Sequence, residues 1–435
     1  MLQLLPRLAG RWLIAGLGFC TCIVGIDGAT ATPVYTKITA SDAAANDRFG
    51  AEVAVSGNYG IVSASQNDDA GSNSGSAYVF RMDSGQQLFK LTASDAAAGD
   101  AFGSSVAISG NLALVGASQD DDSGANSGSA YLFDATTGNQ FAKLTASDAT
   151  AEDQFGTSVA ISGNLALIGA NGDGAGSAYL FDLNSRQPLF KLTAQDGYNG
   201  DQFGSSVSLT ANRAIIGAPN DYIANYDYDA AGSAYVFDAT TGQQIEKLVG
   251  DPASYDEDAR FGTSVSTDGF HTLVGASGAN YGGEFAVGKA YWFDTATGDL
   301  LFKWLGPAFS SSKSPSFGNS VAIEGDFSVV GIPRGTGAAT FSGFVRIFDT
   351  ITGQVKWGLT AYDGARFDSF GSAVAVSGNI VLIGAFGDSD AGSNSGSAYI
   401  WFPVPEPATA ATLLIGVICT MSLRRRRYGR LSMIM

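Results

Sequence analysis

The sequence predicts an all-β protein, a seven-bladed β-propeller of four-stranded blades, on three observations. A Phe-Gly pair recurs at Phe49, Phe102, Phe155, Phe203, Phe261, Phe317 and Phe370, with spacings of 53, 53, 48, 58, 56 and 53 residues. Each interval holds several short apolar stretches punctuated by Gly, Asn and Asp, and a period near 50 residues with several strands per unit points to propeller blades. Finally, Val34 to Ala40 (VYTKITA) is a strand with no blade before it, while the last repeat stops at Phe402 without an outer strand. The two remnants complete each other and close the ring, which removes an exposed sheet edge.

In chain order, residues 1–31 have the layout of a secretory signal. Arg7 and Arg11 form a basic start, Trp12 to Ile26 an apolar run, and Ala29-Thr30-Ala31 a small-x-small cleavage site for signal peptidase. Neither Cys20 nor Cys22 follows the small residue that a lipoprotein signal needs. Residues 32–402 form the propeller domain. Its second repeat sets the pattern: strands at 103–109 (GSSVAIS), 112–117 (LALVGA), 129–135 (SAYLFDA) and 140–146 (QFAKLTA), ordered from axis to rim. The second and third are apolar on both faces, as expected of a sheet sandwiched between two neighbours. The fourth carries Lys143, expected to guard an outer edge. The recurring Phe is expected to wedge between blades, and the Gly after it to let the backbone turn without a Cβ clash.

Phe-Gly, a strand, and then Gly-Ala, with Gly217-Ala218-Pro219 in the fourth repeat, resemble FG-GAP repeats, which form the integrin α-subunit propeller and occur in many bacterial surface proteins. The resemblance spans about residues 34–402, and repeats five and six diverge most, Gly331-Ile332-Pro333 replacing Gly-Ala-Pro in the sixth. Many members carry an Asp-x-Asp-x-Asp-Gly calcium loop between the first two strands of a blade. Here that connection is a short hairpin such as Ser109-Gly110-Asn111, so the family's calcium sites do not carry over.

Residues 403–435 contain Pro405-Glu406-Pro407, an apolar stretch from Ala408 to Leu423, and Arg424 to Arg427. This order is similar to the PEP-CTERM sorting signal of exosortase-bearing Gram-negative bacteria. The resemblance implies a short transmembrane helix, processing by an exosortase-like enzyme, and delivery to the outer cell surface or extracellular matrix. Helical segments are thus expected at both ends, and membrane contact only through them.

All three cysteines, Cys20, Cys22 and Cys419, lie in the end segments, so the domain has no disulfide and no thiolate chemistry. Without its ends the chain keeps 17 basic and 39 acidic residues, a net charge near −22. That charge argues against nucleic acid and anionic lipid as partners. The single histidine, His271, leaves no basis for a histidine triad or multi-histidine metal site.

Four-stranded meanders put short turns on one face and long loops on the other. The long loops, between second and third strands and between successive blades, hold 27 of the 39 acids. Binding is expected there. Asp68, Asp69, Asp120, Asp121, Asp122, Asp388 and Asp390 are candidate ligands for weak Ca²⁺ binding, although Asp in such loops also simply makes soluble turns. No cofactor is required. Repeat six is different: both its long loops lack acids and carry Phe309, Lys313, Arg334 and Phe341. With Tyr222, Tyr226 and Tyr228 of repeat four, and with Tyr255 and Tyr281, Phe309 and Phe341 form the candidate contact for a glycan or protein ligand. The expected function is a monomeric, non-enzymatic adhesion or recognition module. The alternatives are a polysaccharide-acting hydrolase or lyase using Asp/Glu pairs, or a quinoprotein-type propeller.

Overall fold

The computed structural model describes residues 35–222, 231–250, 259–280, 287–306 and 316–403. Both expected end signals lie outside these residues apart from Pro403, as do Tyr226, Tyr228, Tyr255, Tyr281, Phe309 and Lys313. Among the described residues no helix is long and apolar enough to cross a membrane.

Strand β1 (Tyr35–Ile38) comes first. Blade one is β2 (Val53–Ser56), β3 (Tyr59–Ala64), β4 (Ser76–Arg81) and β5 (Gln87–Leu91). Blade two is β6 (Phe102–Ser109), β7 (Leu112–Ala117), β8 (Ser129–Asp134) and β9 (Gln140–Leu144). Blade three is β10 (Phe155–Ser162), β11 (Leu165–Ala170), β12 (Ser177–Asp182) and β13 (Gln187–Leu192). Blade four is β14 (Ser206–Leu209), β15 (Arg213–Ala218), β16 (Ser233–Asp238) and β17 (Gln244–Val249). Blade five is β18 (Phe261–Thr267), β19 (His271–Ala276), β20 (Lys289–Asp294) and β21 (Leu300–Leu305). Blade six is β22 (Val321–Glu324), β23 (Phe327–Ile332), β24 (Phe344–Asp349) and β25 (Val355–Leu359). Blade seven is β26 (Val374–Ser377), β27 (Ile380–Ala385) and β28 (Ser397–Trp401).

Each blade is an antiparallel meander, and β1 pairs with β28 to complete the seventh, in the order β1-β28-β27-β26. The register runs from Tyr35 opposite Trp401 to Ile38 opposite Ala398. The inner strands pack in a closed ring, β2 meeting both β6 and β26. The core is divided among the seven interfaces between adjacent blades. Phe102, for instance, is fully buried with Ala77 and Val79 of blade one and with Tyr131 and Phe133 of its own blade. Its ring meets those of Tyr131 and Phe133 edge-on at 5.5 and 5.8 Å, the arrangement that ring quadrupoles favour.

The Phe-Gly corner is also a close-packing device. Gly156 has φ = 91°, and a Cβ there would lie 2.3 Å from the Ser129 carbonyl of the preceding blade. Gly116, in the Gly-Ala of blade two, meets the Gly156 carbonyl in turn, a Cβ on it falling 2.0 Å away. The two glycines of the repeat therefore dovetail across each blade junction. Blade one departs from this, with buried Ser63 in place of the second glycine.

Candidate functional site

The long-loop face is built on a network that repeats, among the described residues, in blades one to four and seven. In blade two the Lys143 ammonium on outer strand β9 donates to Asp95 at 2.8 Å, Asp120 at 3.0 Å and Asp122 at 2.5 Å. It also lies 5.1 Å from the centre of the Tyr131 ring, and the Tyr131 hydroxyl donates to Asp120 at 2.8 Å. Lys37 does the same in blade seven, bonding Asp363, Asp388 and Asp390 at 2.8, 2.7 and 2.6 Å. Lys90 bonds Asp42 and Asp69, Lys191 bonds Asp148 and Asp173, and Lys247 bonds Asp196 and Asp221. Burial would lower the Lys143 pKa, but the hydrogen bonds it donates to its carboxylate partners, together with Tyr131, outweigh burial and hold the pKa well above the usual lysine range. Burial would raise the Asp120 pKa, but Tyr131 and Lys143 bring it below the usual carboxylate range.

These lysines were expected to guard an edge; the structure gives them a second role as tethered counter-ions. Carboxylate oxygens of Asp95, Asp120 and Asp122, and of Asp363, Asp388 and Asp390, lie within 4.8 Å of one another, as in a divalent-ion site. A lysine ammonium is bonded to all three acids of each group. A calcium ion would have to displace it. Of the other candidate ligands, Asp69 pairs with Lys90, while Asp68 and Asp121 accept the backbone N–H groups of Asn73 and Asn126 at 2.8 and 2.7 Å.

A second feature had no signal in the loops. The axial channel encloses a cavity of about 210 Å³ lined by Ser105, Ser158, Ser206, Ser264 and Ser320 at equivalent places. Each serine donates to the corner glycine carbonyl of the next blade at 2.7–2.9 Å. Blade one puts Glu52 at this place. Channel walls crowd its carboxyl and push the pKa up to about 7, although water still reaches the side chain.

The third feature lies between blades six and seven. Phe341 stacks on Phe367 with centroids 5.6 Å apart and planes 11° apart, and the Arg366 guanidinium lies 4.5 Å from the centre of the Phe367 ring. Elsewhere the same inter-blade contact is polar: Asn126 to Glu152 at 3.1 Å, and Asn394 to Asn46 at 3.4 Å. Phe341 and Phe367 have φ of 59° and 76°, a left-handed backbone that suits Asn or Gly and costs an aromatic residue roughly 1 kcal/mol. Phe367 is nevertheless 54% exposed. Sequence reasoning named Phe341 as a contact residue but not Phe367 or Arg366; the signal for Phe367 is an aromatic residue at a place where the other six repeats carry Asn, Gly, Glu, Asp or Ser. Tyr222 is exposed in blade four and does not join this column.

On the opposite, short-turn face His271 bonds Asp268 at 3.2 Å and packs on Trp292 at 4.6 Å.

The FG-GAP repeat profile matches residues 35–80, 86–133, 139–181, 189–237 and 356–401, a little over half of the chain. Those segments cover β1–β16 and β25–β28, leaving unmatched the outer strand of blade four, blade five and the first three strands of blade six. No curated protein matches the chain.

Proposed function

The chain belongs to the FG-GAP repeat family, and from that premise we propose that it is an exported, non-enzymatic recognition module whose long-loop face holds a protein ligand. The Phe341–Phe367–Arg366 column carries this reading. The Phe367 ring meets Phe341 and Arg366 and is still 54% exposed. What it offers is apolar edge beside a guanidinium, the combination enriched at protein interfaces. A strained aromatic pair in place of a polar one, with Phe367 exposed, suits a site kept for contact rather than for stability. Export follows the expected route: signal peptidase removes residues 1–31, and an exosortase-like enzyme acts on 403–435 to leave the domain at the outer surface or matrix.

The double variant Phe341→Asn, Phe367→Gly restores residue types that other blades carry and relieves both backbone strains. It should melt no lower than the parent while losing capture of surface and matrix proteins from the producing cells. Capture undiminished in this well-folded variant would overturn the proposal.

A further inference from the structure

Blade six has reversed the charge of the repeating network. Its β24 carries Arg346 where blades one to four and seven carry the tyrosine bonded to aspartate. Directly across the sheet, Gly358 replaces the lysine, just as Lys143 stands opposite Tyr131 in blade two. Gly335 stands in the place of Asp120, and the loop 333–343 contains no acid. Space has opened as well: a Cβ on Gly358 would meet nothing within 4 Å. Arg346 is half-buried, its guanidinium 5.8 Å from the centre of the Phe344 ring, and it has no carboxylate partner among the described residues. Burial alone lowers its pKa. Blades one to four and seven show what this location accommodates, since each brings an aspartate from a loop onto the cation there.

We propose that the blade-six slot is a carboxylate receptor, in which Arg346 pairs with an aspartate or glutamate side chain of the protein partner. This names the chemistry of the ligand and rests on the recognition role of the same face. The slot is the space of one missing lysine side chain beside Gly358, which suits a short carboxylate arm better than the ring of an acidic sugar. Guanidinium pairs with carboxylates in a two-pronged geometry that lysine cannot copy. A partner acid would thus supply the counter-charge that blade six has lost.

The test measures binding of an alternating aspartate–glycine decapeptide, its asparagine isostere and trigalacturonate to the purified chain by calorimetry. The aspartate peptide should bind, and the asparagine peptide and the sugar acid should bind at least tenfold more weakly. Arg346→Gln should weaken the aspartate peptide at least tenfold. Equal binding of the asparagine peptide, or binding unchanged by Arg346→Gln, would refute the receptor; trigalacturonate binding as tightly as the peptide would refute the protein side chain as its occupant. The Phe341→Asn, Phe367→Gly variant should retain the aspartate peptide, so loss of protein capture there and loss of the peptide in Arg346→Gln report on the two readings separately.

Discussion

Among the described residues, Glu52 is the one charged side chain in the lining of the axial channel. Its folded-state pKa, about 7, lies above the ordinary glutamate value of 4.5. The folded state therefore holds the proton more tightly than the unfolded one, and the stability that this represents is full below pH 4.5 and lost as pH rises through 7. Replacing Glu52 by Gln should raise stability at pH 8 by about 1 kcal/mol, a value reduced for the water in the channel, and leave it unchanged at pH 4. Urea denaturation at both pH values checks this; an equal effect at both would contradict it. Single residues were legible in the sequence where the repeat enforced them. Phe102 and Gly156 recur because a junction has room for one ring and no Cβ. Glu52 was not legible, because only ring closure brings its place together with Ser105 and the four equivalent serines.

At the scale of elements, the outer strand is the instructive case. Alternation in QFAKLTA put Lys143 correctly on a half-exposed strand, yet said nothing of its partners. They lie 48, 23 and 21 residues away, in two different loops. Removing the lysine would leave Asp95, Asp120 and Asp122 facing one another without a counter-ion. Lys143→Met should destabilise the protein by about 1–2 kcal/mol at pH 7. Asp120 is held below its usual pKa, so its contribution is present above the unfolded carboxylate range and fades as pH falls through the folded value; the gap between parent and variant should narrow below pH 4. Calcium should raise the melting temperature of chelator-treated Lys143→Met and leave the parent unmoved. A calcium shift in the parent would show that an ion displaces the lysines, or binds beside them.

For the whole molecule, closure by β1 is the decisive contact. It covers the edge of β28 and delivers Lys37 to Asp363, Asp388 and Asp390. Deleting residues 35–40 should give a lower, broader melting transition and oligomers on size exclusion, because an open edge strand invites pairing with other chains. Added VYTKITA peptide should reverse both effects; an unchanged transition would mean that the ring does not depend on its seal. The sequence by itself determined the blade number, the strands of each repeat, the wedge and the seal. These follow from period, alternation and the count of unmatched strands, all of which are local or repeat with fixed spacing. Only the tertiary structure decided that the aspartates of the long loops face lysines, that Phe341 meets Phe367, and that Arg346 stands opposite an empty place at Gly358. Those relations join residues of different strands, loops and blades, and distance in space between such residues is set by packing rather than by spacing along the chain.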